Sequence, residues 1–308
     1  ASYCNRALSG FYNVSPNVQI IKEKGNLTLL EGDNGFGAVV GKIAMEIALA
    51  KAKDFGCSIC SVRNSNHFGA ASYYTSMASR KDMIGFCCTN GPANMAPYGS
   101  KESMLGTNPF SVAIPAGKNP PLVLDIATSI VARGNILDAL KEGQAIPDGW
   151  AIDKEGNNTN NAALAVHGSV LPFGGYKGSG IAIMIDAISG VLSGAEYGKH
   201  VRQPDKGNLQ DMKQQGAGIG QFFLAIDISP LQEVNLFKSK MDQMIDELKS
   251  ASLAPNVTEL FVPGEIEARK SQLNQQNGII LSGATINELA KLCEDQHIEN
   301  ILEPLFKV

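Results

Sequence analysis

The stretch Val62-Arg63-Asn64-Ser65-Asn66-His67-Phe68-Gly69 decides how this chain is read, because it turns a strand into a helix around one of four histidines in 308 residues. Before it, Cys57-Ser58-Ile59-Cys60-Ser61-Val62 is short, rich in β-branched and sulfur-bearing side chains and preceded by Gly56, which predicts a buried strand. After it, Ala70 to Arg80 predicts a helix. A histidine at such a junction lies at the rim of a sheet, where α/β proteins gather their chemistry.

Outward from this junction, strands and helices alternate. Leu27 to Glu31 reads as a strand entering Gly32-Asp33-Asn34-Gly35-Phe36-Gly37, followed by a helix over Val39 to Lys53 with Gly56 as its stop. Further strands are expected at Ile84–Thr89, Phe110–Ile114, Leu122–Ile126 and Phe222–Ile228, with a short one at Leu260–Val262. Helices are expected from near Ser129, over Gly178–Ser193 and over Leu236–Leu248. Thr285 with Glu288 has capping-box spacing and opens a last one. Ile146 to Asn161 is turn-rich. The class is therefore α/β, without repeats or low-complexity tracts.

Bulk composition removes several function classes. With 44% hydrophobic and 18% charged residues the chain has ample material for a core. A net charge of −4 and the lack of a basic cluster argue against nucleic acid or an anionic membrane as partner. The apolar run Ile181 to Ala195 contains Asp186 and is shorter than the ~20 residues of a membrane span. Ala1 to Gly10 lacks the apolar core of a signal peptide. The six cysteines form no regular framework, so reduced thiols in a cytoplasmic setting are expected. No His, Asp and Glu cluster has metal-ligand spacing, and no metal is expected.

Four segments carry possible chemistry, each with a plainer rival. Gly35-Phe36-Gly37-Ala38-Val39-Val40-Gly41 imitates a dinucleotide fingerprint, but its last gap is one residue too long. The next strand also ends at Arg63-Asn64 rather than at an acidic residue, and a glycine turn that starts a helix explains it equally. Gly174-Gly175-Tyr176-Lys177-Gly178-Ser179-Gly180 has the wrong order for a P-loop. A lysine among glycines at a helix start still suits an anion, though it also suits a bare surface. Asp125-Ile126-Ala127-Thr128-Ser129 would either cap a helix or meet a phosphate or ribose there. Leu105-Gly106-Thr107-Asn108-Pro109 is a turn or a substrate-facing loop. His67 is structural or catalytic; His167, His200 and His297 read as solvated.

Together these runs, with Ile146-Pro147-Asp148-Gly149-Trp150-Ala151, Leu171-Pro172-Phe173-Gly174 and Pro263-Gly264-Glu265, resemble the malate/L-lactate dehydrogenase family of the second type. They stand in family order from about Arg6 to beyond Glu265. The resemblance implies NAD- or NADP-dependent interconversion of 2-hydroxy and 2-oxo acids, or reduction of related imino acids. It implies homodimers of a family-specific mixed-sheet fold with helices on its faces, distinct from the standard Rossmann fold. The implied division is residues 1–72 with 239–308 as a dimerisation and substrate-side region, and 73–238 as the cofactor-binding domain. The family's Ser-His-Gly segment and its arginine would stand before the position of Ala1, so they either precede the given residues or are lost in this member, and Asn135 stands where the family carries a lysine.

The expected site then has His67 as proton donor and acceptor and Asn66 orienting the substrate. Arg63 would take the substrate carboxylate, and Asn108 would face the substrate. The resemblance places the cofactor against Asn90, Asp125, Ile126, Ala127, Thr128, Ser129, Lys177, Gly178, Gly264 and Glu265. It also turns the Gly35 to Gly41 run into a structural turn. Malate is the first substrate expected, with lactate, sulfolactate, ureidoglycolate or a cyclic imino acid as alternatives. A non-catalytic NAD(P)-binding sensor is the alternative outside enzymes.

Overall fold

The computed structural model describes residues 2–203 and 216–298. In chain order its elements are α1 (Ser2–Leu8), β1 (Gln19–Lys24), β2 (Leu27–Glu31), α2 (Gly37–Phe55), β3 (Cys57–Ser65), α3 (Ser72–Ser79), β4 (Met83–Thr89), β5 (Phe110–Ile114), β6 (Leu122–Ile126) and α4 (Arg133–Lys141). They continue as β7 (Ala151–Ile152), β8 (Asn158–Thr159), α5 (Ala162–His167), β9 (Ser169–Val170), α6 (Tyr176–Ile185), β10 (Ile219–Asp227), α7 (Val234–Lys249), α8 (Glu265–Asn277) and α9 (Gly283–Asp295). A π-helical turn at Asp186–Val191 prolongs α6.

Seven strands form one mixed sheet in the order β1-β2-β3-β10-β4-β5-β6. Only β2 and β3 pair in parallel, because α2 carries the chain back between them, while every other pair is antiparallel. The fold is thus α/β with a mixed sheet, as expected from the family resemblance. The strand that joins its halves is β10, hydrogen-bonded to β3 on one side and β4 on the other. The two regions divided at residue 72 in the sequence reading therefore contribute neighbouring strands to one sheet.

Alternation along β10 sorts the layers. Phe223 joins a core built from α2, α3 and β3, including Met45, Leu49 and Tyr74, whereas its neighbour Phe222 packs with Cys88 and Ile185 on the opposite face. Val40, Ala44, Ala48 and Ala52 place small side chains along the buried stripe of α2, so that this helix lies close to the sheet. Gly41 extends this, since a Cβ there would stand 3.0 Å from the Tyr74 ring. A second core of Met95, Ile136, Ile146, Val170 and Ala182 lies beneath the small β8-β7-β9 sheet. The segment read from sequence as turn-rich therefore holds two short strands.

Three expected elements differ. The helix anticipated near Ser129 begins only at Arg133, because the backbone of 128–130 pairs with 171–173 instead, through Ile130 N–H to Leu171 O and Phe173 N–H to Thr128 O. Leu260 to Val262 forms no strand; the chain there meets β6 by a single bond, Val123 N–H to Pro263 O. The last helix is capped by Ser282, whose Oγ accepts from Thr285 N–H, so Thr285 lies inside the first turn rather than at the cap. No helix among the described residues is long and apolar enough to cross a membrane.

Candidate active site

The loop after β3 is clamped from several sides. Asn64 turns the chain with φ of +52°. Asn66 is fully buried, its Nδ2 donating to Asn34 O and Oδ1, both at 2.9 Å, and its Oδ1 accepting from Ala217 N–H at 3.0 Å. From β10, Gln221 Nε2 donates to Ser65 Oγ at 2.8 Å and to Asn66 O at 3.1 Å. Gly37, the first residue of α2, lies so close that a Cβ would stand 2.0 Å from Asn66 O. The glycine run that imitates a nucleotide fingerprint is thus what lets α2 abut the histidine loop. The Asn66 amide is consumed by the protein, so its geometry is that of a positioning residue and not of a substrate contact.

His67 emerges from this clamp at the mouth of a cavity of about 260 Å³. The Tyr3 hydroxyl is hydrogen-bonded to its Nδ1, and Gly69 N–H approaches the same nitrogen at 3.3 Å. A backbone N–H only donates, so Nδ1 is the acceptor in the Gly69 contact, whereas the Tyr3 hydroxyl either donates to Nδ1 or accepts from Nδ1–H. Burial against the cavity wall, followed by the positive charge of Arg6, lowers the imidazole pKa below its usual value. Tyr3 is pushed the other way, chiefly by burial and then by Tyr12, so its hydroxyl stays protonated near neutrality.

Arg6 and Arg202 line the same cavity, with Phe11, Tyr12 and Ile219 forming an apolar floor. Arg6 Nη1 donates to Tyr12 Oη at 3.3 Å. Asn94 also lines it, and its amide oxygen is buried with no hydrogen-bond partner. Space is open above the backbone of Gly69 and Gly91, where a Cβ would meet nothing within 4 Å. Bare backbone of this kind admits the flat face of a ring.

A second, larger cavity of about 760 Å³ lies between α3, β6 and the start of α8. Its lining includes Asp125, Ile126 and Gly264 from the sequence reading, together with Arg80 and Glu267. Asp125 Oδ2 accepts from Ser72 N–H at 2.7 Å, at the first residue of α3. Both cavities border the β3–α3 connection, one at His67 to Gly69 and the other at Ser72.

The remaining expected residues divide by what already holds them. Asn90 and Asn108 reach the first cavity, but their amides brace it. Asn90 Nδ2 donates to Asp186 Oδ1 at 2.8 Å and its Oδ1 accepts from Gly220 N–H at 2.9 Å. Asn108 Nδ2 donates to Ala182 O at 2.9 Å. Arg63 is not among the residues lining the cavity: its Nε is 2.7 Å from Glu31 Oε2, and the two residues share paired strands. Thr128 Oγ1 donates to Thr107 O and Ser129 Oγ to Val131 O, so neither hydroxyl caps a helix.

Ala127 continues from β6 into this segment. Lys177 is exposed in the first turn of α6, and Gly178 brings that turn against Thr128, since a Cβ would stand 2.8 Å from Thr128 O. Glu265 is committed to Lys249 at 2.7 Å and Arg269 at 2.6 Å, with Lys249 foremost in holding its carboxyl below the usual range. Tyr3, Arg6, Asn94 and Arg202 were not legible as site residues, for no local motif surrounds any of them. Among the described residues no three His, Cys, Asp or Glu side chains converge as metal ligands.

The chain matches known proteins over nearly its whole length. The family model for malate/L-lactate dehydrogenase matches residues 1–290. L-sulfolactate dehydrogenase of Methanocaldococcus jannaschii is 40% identical over 296 residues, covering 96% of this chain and 83% of its own. The solved structure of sulfolactate dehydrogenase from that organism superposes with a TM-score of 0.85 at 38% identity, with the same coverage. Malate dehydrogenase of Pyrococcus horikoshii is 36% identical over 97% of this chain and 83% of its own. The crystal structure of malate dehydrogenase from Entamoeba histolytica reaches a TM-score of 0.90 at 29% identity, over 97% and 85% of the two chains. These relatives are dehydrogenases, which decides against the sensor alternative. The chain belongs to the malate/L-lactate dehydrogenase family and is a 2-hydroxy-acid dehydrogenase of the kind that works with a nicotinamide cofactor.

Proposed function

We propose that the protein interconverts malate and its 2-oxo acid with NAD, using His67 as the proton-transfer group. The observation that carries this is the placing of His67, held by Tyr3 and within electrostatic reach of Arg6, at the mouth of a glycine-edged cavity. When bound there, the nicotinamide ring supplies or accepts the hydride at the substrate's second carbon. In reduction the carbonyl electron pair moves to oxygen, and a proton from His67 Nε2 completes the hydroxyl. In oxidation the neutral ring takes that proton back on Nε2, in the tautomer whose Nδ1–H donates to the Tyr3 hydroxyl. Tyr3 serves both directions, because a hydroxyl either donates to Nδ1 or accepts from it.

Arg6 replaces Arg63 as the group for the substrate's first carboxylate, since it lines the cavity and its charge is felt at the imidazole. The unpartnered Asn94 oxygen and the open backbone at Gly69 and Gly91 suit a carboxamide-bearing ring. The second cavity would take the adenosine half. Asp125 and Glu267 outnumber Arg80 there, which favours free ribose hydroxyls over a 2′-phosphate and hence NAD over NADP. Lys177, exposed in the first turn of α6, suits the cofactor's phosphates.

A homodimer is supported by exposed Ile183, Met184 and Leu192 along α6 and its continuation. The free, buried thiols of Cys60, Cys87 and Cys88 suit the cytoplasm. The test is oxidation of malate, lactate, sulfolactate and ureidoglycolate with each cofactor, followed by His67→Ala. Turnover with malate should fall by ~10² or more in the variant while cofactor binding survives. Undiminished turnover would assign the proton to another group.

A further inference from the structure

Helix α3 begins without a cap of its own. Ala71 precedes it, its first turn has no acidic residue, and no local side chain accepts from its open N–H groups. The missing acceptor comes from β6, 53 positions further on, where Asp125 Oδ2 takes Ser72 N–H at 2.7 Å. A carboxylate there satisfies an open donor and complements the positive end of the helix. Ser72 and Asp125 both line the second cavity, so the group that fixes the start of α3 also borders whatever fills that space.

From α3 the way to His67 is short and packed. Tyr74, fully buried on α3, donates its hydroxyl to Phe68 O and stacks on the Phe68 ring with centroids 4.9 Å apart. Phe68 and Gly69 line the first cavity beside His67, and Gly69 N–H approaches His67 Nδ1 at 3.3 Å. Tyr74 itself is not among the residues lining either cavity. A displacement of α3 is therefore passed to the neighbour of His67 through close-packed atoms.

We infer that filling the second cavity steadies His67 in the first, with Asp125 as the positioning residue that joins the two through α3. This rests on the reading of the cavities as the two halves of a dinucleotide site, and adds a coupling between them. A ribose hydroxyl donating to the other Asp125 oxygen pins the carboxylate, and with it the start of α3, while Oδ2 keeps Ser72 N–H. The remote half of the cofactor then contributes to turnover and not only to affinity, because order gained at His67 favours proton transfer.

The experiment uses the two halves of the cofactor separately, on the whole chain. Adenosine monophosphate is titrated into the wild-type protein, Tyr74→Phe and Asp125→Ala. Calorimetry gives its affinity, and NMR follows the His67 imidazole, whose signal is the one missing in His67→Ala. In the wild-type protein the His67 signal should move on binding. Tyr74→Phe should bind the nucleotide as tightly, because the cavity wall is kept, but lose most of that movement; Asp125→Ala should lose both. Malate oxidation with nicotinamide mononucleotide should speed up by about 5-fold or more when adenosine monophosphate is added to the wild-type protein, and far less in Tyr74→Phe. Bound nucleotide that leaves the signal and the turnover unmoved overturns the coupling. A movement as large in Tyr74→Phe as in the wild type overturns the path through α3. No binding to the wild-type protein overturns the placing of the adenosine half, and this inference with it. If NAD supports turnover of no 2-hydroxy acid, the dehydrogenase reading fails separately, and the NMR titration alone decides the link.

Discussion

Replacing Arg6 by glutamine separates two things that its guanidinium does. As carboxylate ligand it contributes one charge-assisted, fork-shaped contact, worth about 1.5–3 kcal/mol, so kcat/KM should fall by about 10- to 150-fold at every pH. As a neighbour of His67 it disfavours the imidazolium, second only to burial in lowering that pKa. Oxidation requires neutral His67, so kcat/KM for malate oxidation rises with pH through the imidazole pKa of the free enzyme. In the wild-type protein that midpoint lies below the usual 6.5. In Arg6→Gln it should move upward, without passing beyond what burial alone allows. Reduction should show the mirror image, falling as pH rises through the same midpoint. The assay is nicotinamide absorbance at subsaturating malate, across a pH series in buffers of constant ionic strength. A large loss with an unmoved midpoint refutes the electrostatic coupling. A moved midpoint with no loss refutes the carboxylate contact.

Two further outcomes follow from the loop and from the second cavity. Gly37→Ala should destabilise the fold by roughly 1–3 kcal/mol and lower turnover, because its methyl meets the Asn66 carbonyl, a backbone atom that moves only with the loop; urea unfolding and malate oxidation read both effects, and an unaffected variant would show that α2 does not brace His67. Asp125→Ser should weaken NAD and improve NADP relative to it, measured as the ratio of kcat/KM for the two cofactors; an unchanged ratio would place the adenosine half elsewhere.

Much of this architecture was legible along the chain. Phe110–Ile114 and Leu122–Ile126 formed as strands over the residues expected, and the helix expected over Val39 to Lys53 formed as α2. Local cues failed where a distant segment competed for the backbone. Thr128 and Ser129 look like a helix start in isolation, yet their main chain is taken by 171–173. Their hydroxyls are likewise spent on carbonyls nearby.

The sequence by itself determined the α/β class, the strand-to-helix junction bearing His67 and, through runs in a specific order, the family. Those properties are written in neighbouring residues, since side-chain periodicity and turn chemistry act over a few positions. Only the tertiary structure decided which polar groups line a cavity and which are spent on their neighbours. Asn66, Asn90 and Asn108 have the look of site residues, but burial obliges each amide to satisfy the backbone around it. Arg63 finds Glu31 on the adjoining strand, a pairing set by register. Arg6 and Arg202, almost 200 positions apart and without a motif, meet in one cavity because α1 and the approach to β10 both pack on the cluster of Phe11, Tyr12 and Ile219.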